Sequence, residues 1–490
     1  MRYGVRFSRD VLIAFSASLI SMVLNVGIGI ILARCLGADG YGLYKFLLTL
    51  YSISIVIFGV GIPAAMVKFV SETKEDAPQA GKIITTGVIA SLLLGIICTL
   101  VIIIFSGLLA DVFRIEELSS MILYLAPIFP FSLCANSLLG TLNGLRRMRS
   151  YAIAIILQNI ALLISSLLLI SLGFGVAGVL LGLLISIIIQ FIYLLWQNKT
   201  FIRIAIRSLR DLLEKILAFG SKLMAVNFVQ TIVYNADIMI IGYLLTVSDV
   251  GYYGIAMGLS KLLWVLPSSV QMISYPAVSE FHSKKNISGI NDILNASMKY
   301  TAIMVLPAGL ILGLFAADII HFIFGIEFEE SIAPLYILSS GIAIASIWVS
   351  IGSVLSGVGR PDIVLRITIL AAIIDISMNL ALIPIFGING AAIAAISSYL
   401  FSMAMTLFFI RKIVTIDIDY LWLVKISSLF LFILSFGIIL NIKEPFRYLI
   451  IGNIIILFMI AEIVFFLKQS EREALFLYLK DILRGISKSS

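Results

Sequence analysis

The chain is short of charge. Only 12% of its 490 residues are Asp, Glu, Lys or Arg, and 61% are hydrophobic, where a soluble domain carries about 25% charged residues. So small a charged fraction cannot coat a large surface in water. The low-charge runs recur from end to end, which also excludes a soluble domain with a single anchor. Cysteine is scarce: Cys35, Cys98 and Cys134 are odd in number and scattered, an argument against a disulfide framework or a metal site. Histidine is reduced to His282 and His321, both near expected loop ends. Long polar loops are missing, and so is a P-loop signature. Nothing is left to form a nucleotide-binding domain, or to carry the external carboxylate pair with which a membrane glycosyltransferase would hold its donor. The chain is therefore read as a non-enzyme, without catalytic residues, cofactor or metal.

What is there are apolar runs of about twenty residues, the length that crosses a bilayer as a helix. In lipid the backbone must satisfy its own hydrogen bonds, so only helices and closed barrels span it. A barrel would show alternating strands of about ten residues; these runs are twice that long and rich in Leu, Ile, Ala and Gly. The first starts at Val11 after Arg2, Arg6 and Arg9 and lasts to Ala33, too long for the 7–15-residue apolar stretch of a signal peptide. The expected fold is an all-α integral membrane protein with about fourteen spans at the usual length. They fall near 11–33, 43–66, 83–107, 119–142, 151–172, 176–196, 217–245, 251–279, 300–317, 333–356, 363–385, 389–410, 421–441 and 448–467.

Lys and Arg set the orientation. With the N-terminus in the cytoplasm, that side collects Arg2, Arg6 and Arg9, the 146–149 and 199–215 clusters, Arg411, Lys412 and the basic tail. The opposite side keeps a few cations, Arg34, Lys45 and Arg114 among them, beside Asp111, Glu116, Glu117 and Glu327. Both termini are expected in the cytoplasm of a cell membrane protein. The net charge of +7 follows from this topology and calls for no nucleic acid. Residues 198–216, with Arg203, Arg207 and Arg210 at helical spacing, read as an amphipathic connector on anionic headgroups.

The chain also repeats itself. Gly42-Leu43-Tyr44 returns as Gly251-Tyr252-Tyr253, Val70-Ser71-Glu72 as Val278-Ser279-Glu280, Gly144 and Arg147 as Gly357 and Arg360. Phe174-Gly175-Val176-Ala177-Gly178 returns as Phe386-Gly387-Ile388-Asn389-Gly390, each match roughly 210 residues on. The expected organisation is a six-helix lobe at 1–197, the connector, and a second six-helix lobe at 217–412. Two extra helices and a tail, 413–490, lie outside the repeat. An even helix number gives the two lobes the same topology, an arrangement found in transporters.

Ionisable groups inside spans are costly and face an interior or a cavity. Helix seven carries Asn227, Gln230, Tyr234 and Asp237 on one face, and helix eight carries Lys261, Trp264, Ser268, Gln271 and Tyr275 on another. Helix eleven carries Thr368, Asp375 and Asn379, and helix one Ser18, Ser21 and Asn25. Asp237 and Lys261 lie roughly 12 and 15 Å from the outer surface. Two readings stay open for them: a pair that neutralises itself, or groups lining a water-filled cavity.

The segments Arg34-Cys35-Leu36-Gly37-Ala38-Asp39-Gly40-Tyr41-Gly42-Leu43-Tyr44, Asp249-Val250-Gly251-Tyr252-Tyr253, Phe324-Gly325-Ile326-Glu327-Phe328 and Gly357-Val358-Gly359-Arg360-Pro361 resemble those of polysaccharide-biosynthesis flippases. The chain looks like a member of the oligosaccharide (O-antigen type) branch of the multidrug/oligosaccharidyl-lipid/polysaccharide flippase superfamily, over roughly residues 5–470. The resemblance implies two lobes around a central cavity lined by helices one, two, seven and eight. It implies alternating-access transfer of a polyprenyl-diphosphate-linked oligosaccharide to the outer leaflet, for surface polysaccharide or glycan assembly. Arg34, Lys45 and Lys261 would hold the diphosphate, with Asn25 and Gln271 as further substrate-binding candidates. Asp237, Asn227, Gln230, Tyr234 and Asp375 are the candidates for cavity polarity or ion coupling. The implied partners are the lipid-linked oligosaccharide and membrane lipids, with a coupling cation and glycan-assembly proteins left open. The alternative is a cation-coupled multidrug or small-molecule exporter, although helix one has no acidic residue between Asp10 and Asp39.

Overall fold

The computed structural model describes residues 2–73, 75–201, 209–413, 420–439, 447–462 and 464. The middle of the expected connector, with Arg203 and Arg207, and the basic tail from 465 onward lie outside the described residues. Among the described residues every regular element is a helix, and the chain divides into two compact units, Met1–Gly254 and Ile255–Ser490.

The first unit holds α1 (Arg2–Gly59), α2 (Ile62–Thr73), α3 (Ala77–Ile104), α4 (Ser106–Phe113), α5 (Leu118–Leu125), α6 (Ile128–Gly144), α7 (Met148–Ser171), α8 (Gly175–Asn198) and α9 (Leu209–Leu244). It ends inside α10 (Val247–Ser260). The loop expected at 34–44 is helical except at Gly37, where φ of 70° bends α1. The second expected span breaks instead at Val60 and Gly61, both at positive φ, and resumes as α2. The cause is a backbone contact from a distant helix. A Cβ on Gly61 would lie 2.2 Å from the Gly220 carbonyl oxygen, and one on Gly220 would lie 2.3 Å from that of Val60. Only two glycines let α9 come so near.

A second approach of this kind lies at the other end of α9. A Cβ on Gly42 would meet the Val247 carbonyl oxygen at 1.8 Å, and one on Gly251 the Ala38 oxygen at 2.6 Å. Ser248 donates to Asp39 beside it. Gly42 and Gly251 are the same position of the sequence repeat, so the repeat meets itself at this contact. Helix α9, which the repeat assigns to the second lobe, packs on α1, α2 and α3 within the first unit.

The second unit continues α10 through a 3₁₀ turn, Lys261–Trp264, into α11 (Val265–Ser283). There follow α12 (Ile287–Leu314), α13 (Ala316–Ile323), α14 (Ile332–Gly357), α15 (Pro361–Phe386), α16 (Ile388–Ile413), α17 (Tyr420–Ile439) and α18 (Arg447–Ala461). The element order restates the repeat. Helices α3 and α4 are 28 and 8 residues long, and so are α12 and α13. Their starts are capped alike: Asp76 accepts from the Gln79 amide at 3.1 Å, and Asn286 from the Gly289 amide at 2.9 Å.

Nine of the described helices are long and apolar enough to cross a membrane. The bent pair Leu118–Leu125 and Ile128–Gly144 makes a tenth, and Leu421–Gly437 and Tyr448–Ala461 are shorter apolar helices. Counting by helix merges expected spans one and two into α1, while the 3₁₀ turn splits span eight. The chain is a multi-pass membrane protein.

Candidate functional site

In the first unit the expected polar residues lie on α1 and α9. Lys45 is half-buried, with its ammonium 5.2 Å from the centroid of the Tyr41 ring, one turn earlier. Such a cation–π contact is favourable once water is withdrawn. The stem of Lys45 lies over Gly254, where a Cβ would stand 3.3 Å from its Cγ. Among the described residues no carboxylate lies within ion-pairing distance of Lys45. Arg34 is exposed, one turn before the bend at Gly37.

Asp237 is 3% exposed and accepts a hydrogen bond of 2.5 Å from the Tyr253 hydroxyl, itself fully buried. On the same face Asn227, Gln230 and Tyr234 are exposed. The stripe therefore runs from a surface to a buried acid. Asn25 is exposed and donates to the Ser21 carbonyl of its own helix at 2.8 Å. Ser21 Oγ accepts from Asn25 at 3.4 Å and, more closely, from Asn159 of α7 at 2.6 Å, which joins the two helices.

The motif around Asp249 has a local explanation. Asp249 accepts from the Thr246 amide at 3.0 Å, and the Asp249 amide donates to Thr246 Oγ1 at 3.3 Å. This reciprocal pair is a capping box that starts α10.

In the second unit Asp375 is 2% exposed and accepts from Asn379 Nδ2 at 3.3 Å, one turn on. Lys261 sits in the 3₁₀ turn, half-buried, and so does Trp264. A cavity of about 180 Å³ opens beside this turn among α14, α15 and α16. Trp264, Trp348 and Tyr399 form its aromatic walls, and Thr368, Ser402 and Thr406 its hydroxyl edge. The Trp264 and Tyr399 rings meet edge to face at 5.1 Å. Among the described residues no carboxylate, ammonium, guanidinium or imidazole lines the cavity. Gly352 forms part of its wall; the nearest atom to a Cβ there would be Gln271 Nε2, at 3.8 Å. Gln271 thus stands at the cavity edge.

Several of these residues escaped sequence reasoning. Tyr253 was visible in the repeated Gly251-Tyr252-Tyr253 motif, but nothing in a single sequence aims its hydroxyl at Asp237. Asn159 is a polar residue within span five and could have been flagged by its depth alone. Glu462, fully buried at the end of α18, is a third: among the described residues neither of its carboxylate oxygens has a hydrogen-bond partner.

Among the described residues the protein is helical throughout and crosses the membrane several times, with buried polar groups inside its spans. The chain is similar to the probable low-salt glycan biosynthesis flippase Agl15 of Haloferax volcanii, with 25% identity over 79% of this chain and 80% of that protein. In fold it is similar to the lipid II flippase MurJ in an inward closed conformation, at TM-score 0.72 and 19% identity, covering 91% of this chain and 97% of that one. It is also similar to an inward-facing multidrug resistance MATE family transporter, at TM-score 0.70 and 14% identity, covering 82% and 97%. The family described as polysaccharide biosynthesis protein matches residues 31–333, and the chain belongs to it.

Proposed function

We propose that this protein is a flippase that carries a polyprenyl-diphosphate-linked oligosaccharide from the cytoplasmic to the outer leaflet by alternating access, for the assembly of a surface polysaccharide or glycan. The observation that carries this reading is Lys45. An ammonium within a span is costly unless an anion or an aromatic face meets it. Here the Tyr41 ring supplies the face, and a diphosphate would supply the anion. Family membership and the likeness to the probable glycan biosynthesis flippase Agl15 support the same reading. Arg34 can offer a bidentate fork to a phosphate; Lys261 adds a point charge near mid-depth. Asn25 and Gln271 are polar contacts for the glycan, and Asn227, Gln230 and Tyr234 line its path. Asp237 and Asp375 are proposed for a coupling cation. The remaining parts of the proposal are about fourteen spans, two six-helix lobes at 1–197 and 217–412, and cytoplasmic termini.

The test uses the full chain in liposomes loaded with a fluorescent undecaprenyl-diphosphate disaccharide. Transfer between leaflets is read by loss of dye protection from an external quencher. Lys45→Ala should lower the transfer rate at least tenfold with normal insertion. Full activity in a Lys45→Ala, Lys261→Ala double variant would remove cation-held diphosphate from the mechanism. Cation-coupled export of a small molecule is the second reading, favoured by the likeness to MATE transporters and the buried Asp237 and Asp375. Gradient-driven dye export without glycan transfer would select it.

A further inference from the structure

The cavity in the second unit is unused by the diphosphate. We infer that it is a saccharide subsite, holding one pyranose ring of the lipid-linked glycan against Trp264, Trp348 and Tyr399. This rests on the proposed flippase reading and adds to it where the sugar sits.

Size comes first. An engineered cavity of about 150 Å³ takes one benzene ring, so a cavity of about 180 Å³ takes one six-membered ring and little more. Chemistry comes second. With no carboxylate, ammonium, guanidinium or imidazole in its walls among the described residues, the cavity suits neither a diphosphate nor a metal ion. A polyprenyl chain would offer no donor to the acceptor oxygens of the hydroxyl edge. The Thr368 hydroxyl donates to the Val364 carbonyl at 2.9 Å and the Thr406 hydroxyl to that of Ser402 at 2.7 Å. Their protons are committed to their own helices, so their oxygens are left to accept. Next to Gly352 the Gln271 amide makes no hydrogen bond among the described residues, and it brings both a donor and an acceptor. Apolar faces with acceptors and an amide at the edge match a sugar ring, which has apolar C–H faces and a rim of hydroxyls.

Position comes third. In a 3₁₀ turn residues i and i+3 eclipse, at a rise of about 2 Å per residue. Lys261 and Trp264 therefore stand one above the other, roughly 6 Å apart along the axis. A glycan's first ring is bonded directly to its diphosphate, so a phosphate at Lys261 brings that ring to Trp264. Gly352 and Thr368 lie roughly 9–12 Å along their helices from the turn at 358–360. That turn carries Arg360, on the side expected to face the cytoplasm, where such a substrate is loaded.

The test is calorimetric titration of the full chain in nanodiscs with two probes, farnesyl diphosphate and farnesyl-diphosphate-linked glucose. Parent protein should bind the sugar-linked probe at least tenfold more tightly. Gly352→Leu fills the cavity from a wall with no atom nearer than 3.8 Å, and should erase that preference while weakening the bare probe less. Should this variant prove unstable, Thr368→Val with Thr406→Val keeps the volume and should cut the preference at least threefold. A preference that survives the filled cavity, or equal weakening of both probes, overturns the sugar subsite; the latter would place the prenyl chain there. No preference in the parent, with both probes bound, also overturns it and leaves the flippase reading standing. Failure of both probes to bind the parent sinks the flippase reading itself.

Discussion

Helices α3 and α12 occupy the same place in the repeat and have the same length, yet they live in different surroundings. In the span formed by α3, 33% of the most apolar window is buried; for α12 the figure is 61%. Leu93, Ile97, Leu100 and Ile104 of α3 are exposed, as residues facing lipid tails should be. On α12 the corresponding side is covered by α17 and α18. Phe430 of α17 lies against Gly309, Leu434 against Gly313, and Gly437 against Leu314. These two C-terminal helices cover α12, and glycines on both partners let that cover close. Lipid tails are as apolar as leucine, so the cover is held by packing and close approach.

Removing the cover's largest anchor should separate the two helices most. Phe430 is fully buried, and Phe430→Ala should cost up to about 3 kcal/mol, the low end of the range for soluble cores because lipid can partly refill the gap. Leu93→Ala on α3, where the side chain is 55% exposed, should stay within about 0.5 kcal/mol. Thermal unfolding of both variants in the same nanodiscs measures the difference. Equal effects would mean that α17 does not seal α12.

A middle-sized effect is expected from exchanging equivalent residues. Ile103 of α3 stands where α12 has Gly313, and a Cβ on Gly313 would meet Leu434 Cδ1 at 2.5 Å. Gly313→Ile should destabilise by about 1–3 kcal/mol through overpacking, although isoleucine is native at the matching site. Unfolding midpoints again decide, and an unchanged midpoint would show that the cover yields without cost.

The smallest effect belongs to the polar end just before α12. Lys284 donates to Glu280 at 2.5 Å and holds its carboxyl below the usual range. A depressed carboxylate adds stability above its unfolded pKa and loses it as pH falls through the folded value. Both side chains are largely exposed, and water screens such pairs. Glu280→Gln should therefore leave both the neutral midpoint and the acid limb of the stability curve on those of the parent. A shifted acid limb would mean that ion pairing, besides packing, distinguishes α12 from α3.

Much of this molecule was legible in its sequence for a plain reason: bilayer thickness and backbone hydrogen bonding leave a chain with so little charge few options. Membrane spans, the repeat of Gly42 in Gly251 and the polar stripe ending at Asp237 could all be read directly. Breaks inside helices could not. Gly37 looked like part of a loop, and the chain there turns within a single residue. The interruption at Val60 and Gly61 is imposed by Gly220, about 160 residues away, and no local pattern reports so distant a neighbour. The aromatic cavity was hidden for the same reason, since α14, α15, α16 and the 3₁₀ turn each contribute only one or a few side chains to it. Where a local signal existed it sometimes served structure, as with Asp249, whose carboxylate caps α10.

The meeting of Gly42 and Gly251 carries a consequence for motion. When side chains interlock across a helix contact, parting them means finding new rotamers for each, and rejoining them means losing that freedom again. A contact made by two bare backbones has no rotamers to lose. It can separate and re-form with the same shape each time, limited by how far the helices travel and little by how the surface rearranges. The proposed alternating access would be well served by a contact at which only the Ser248–Asp39 hydrogen bond has side chains to reset.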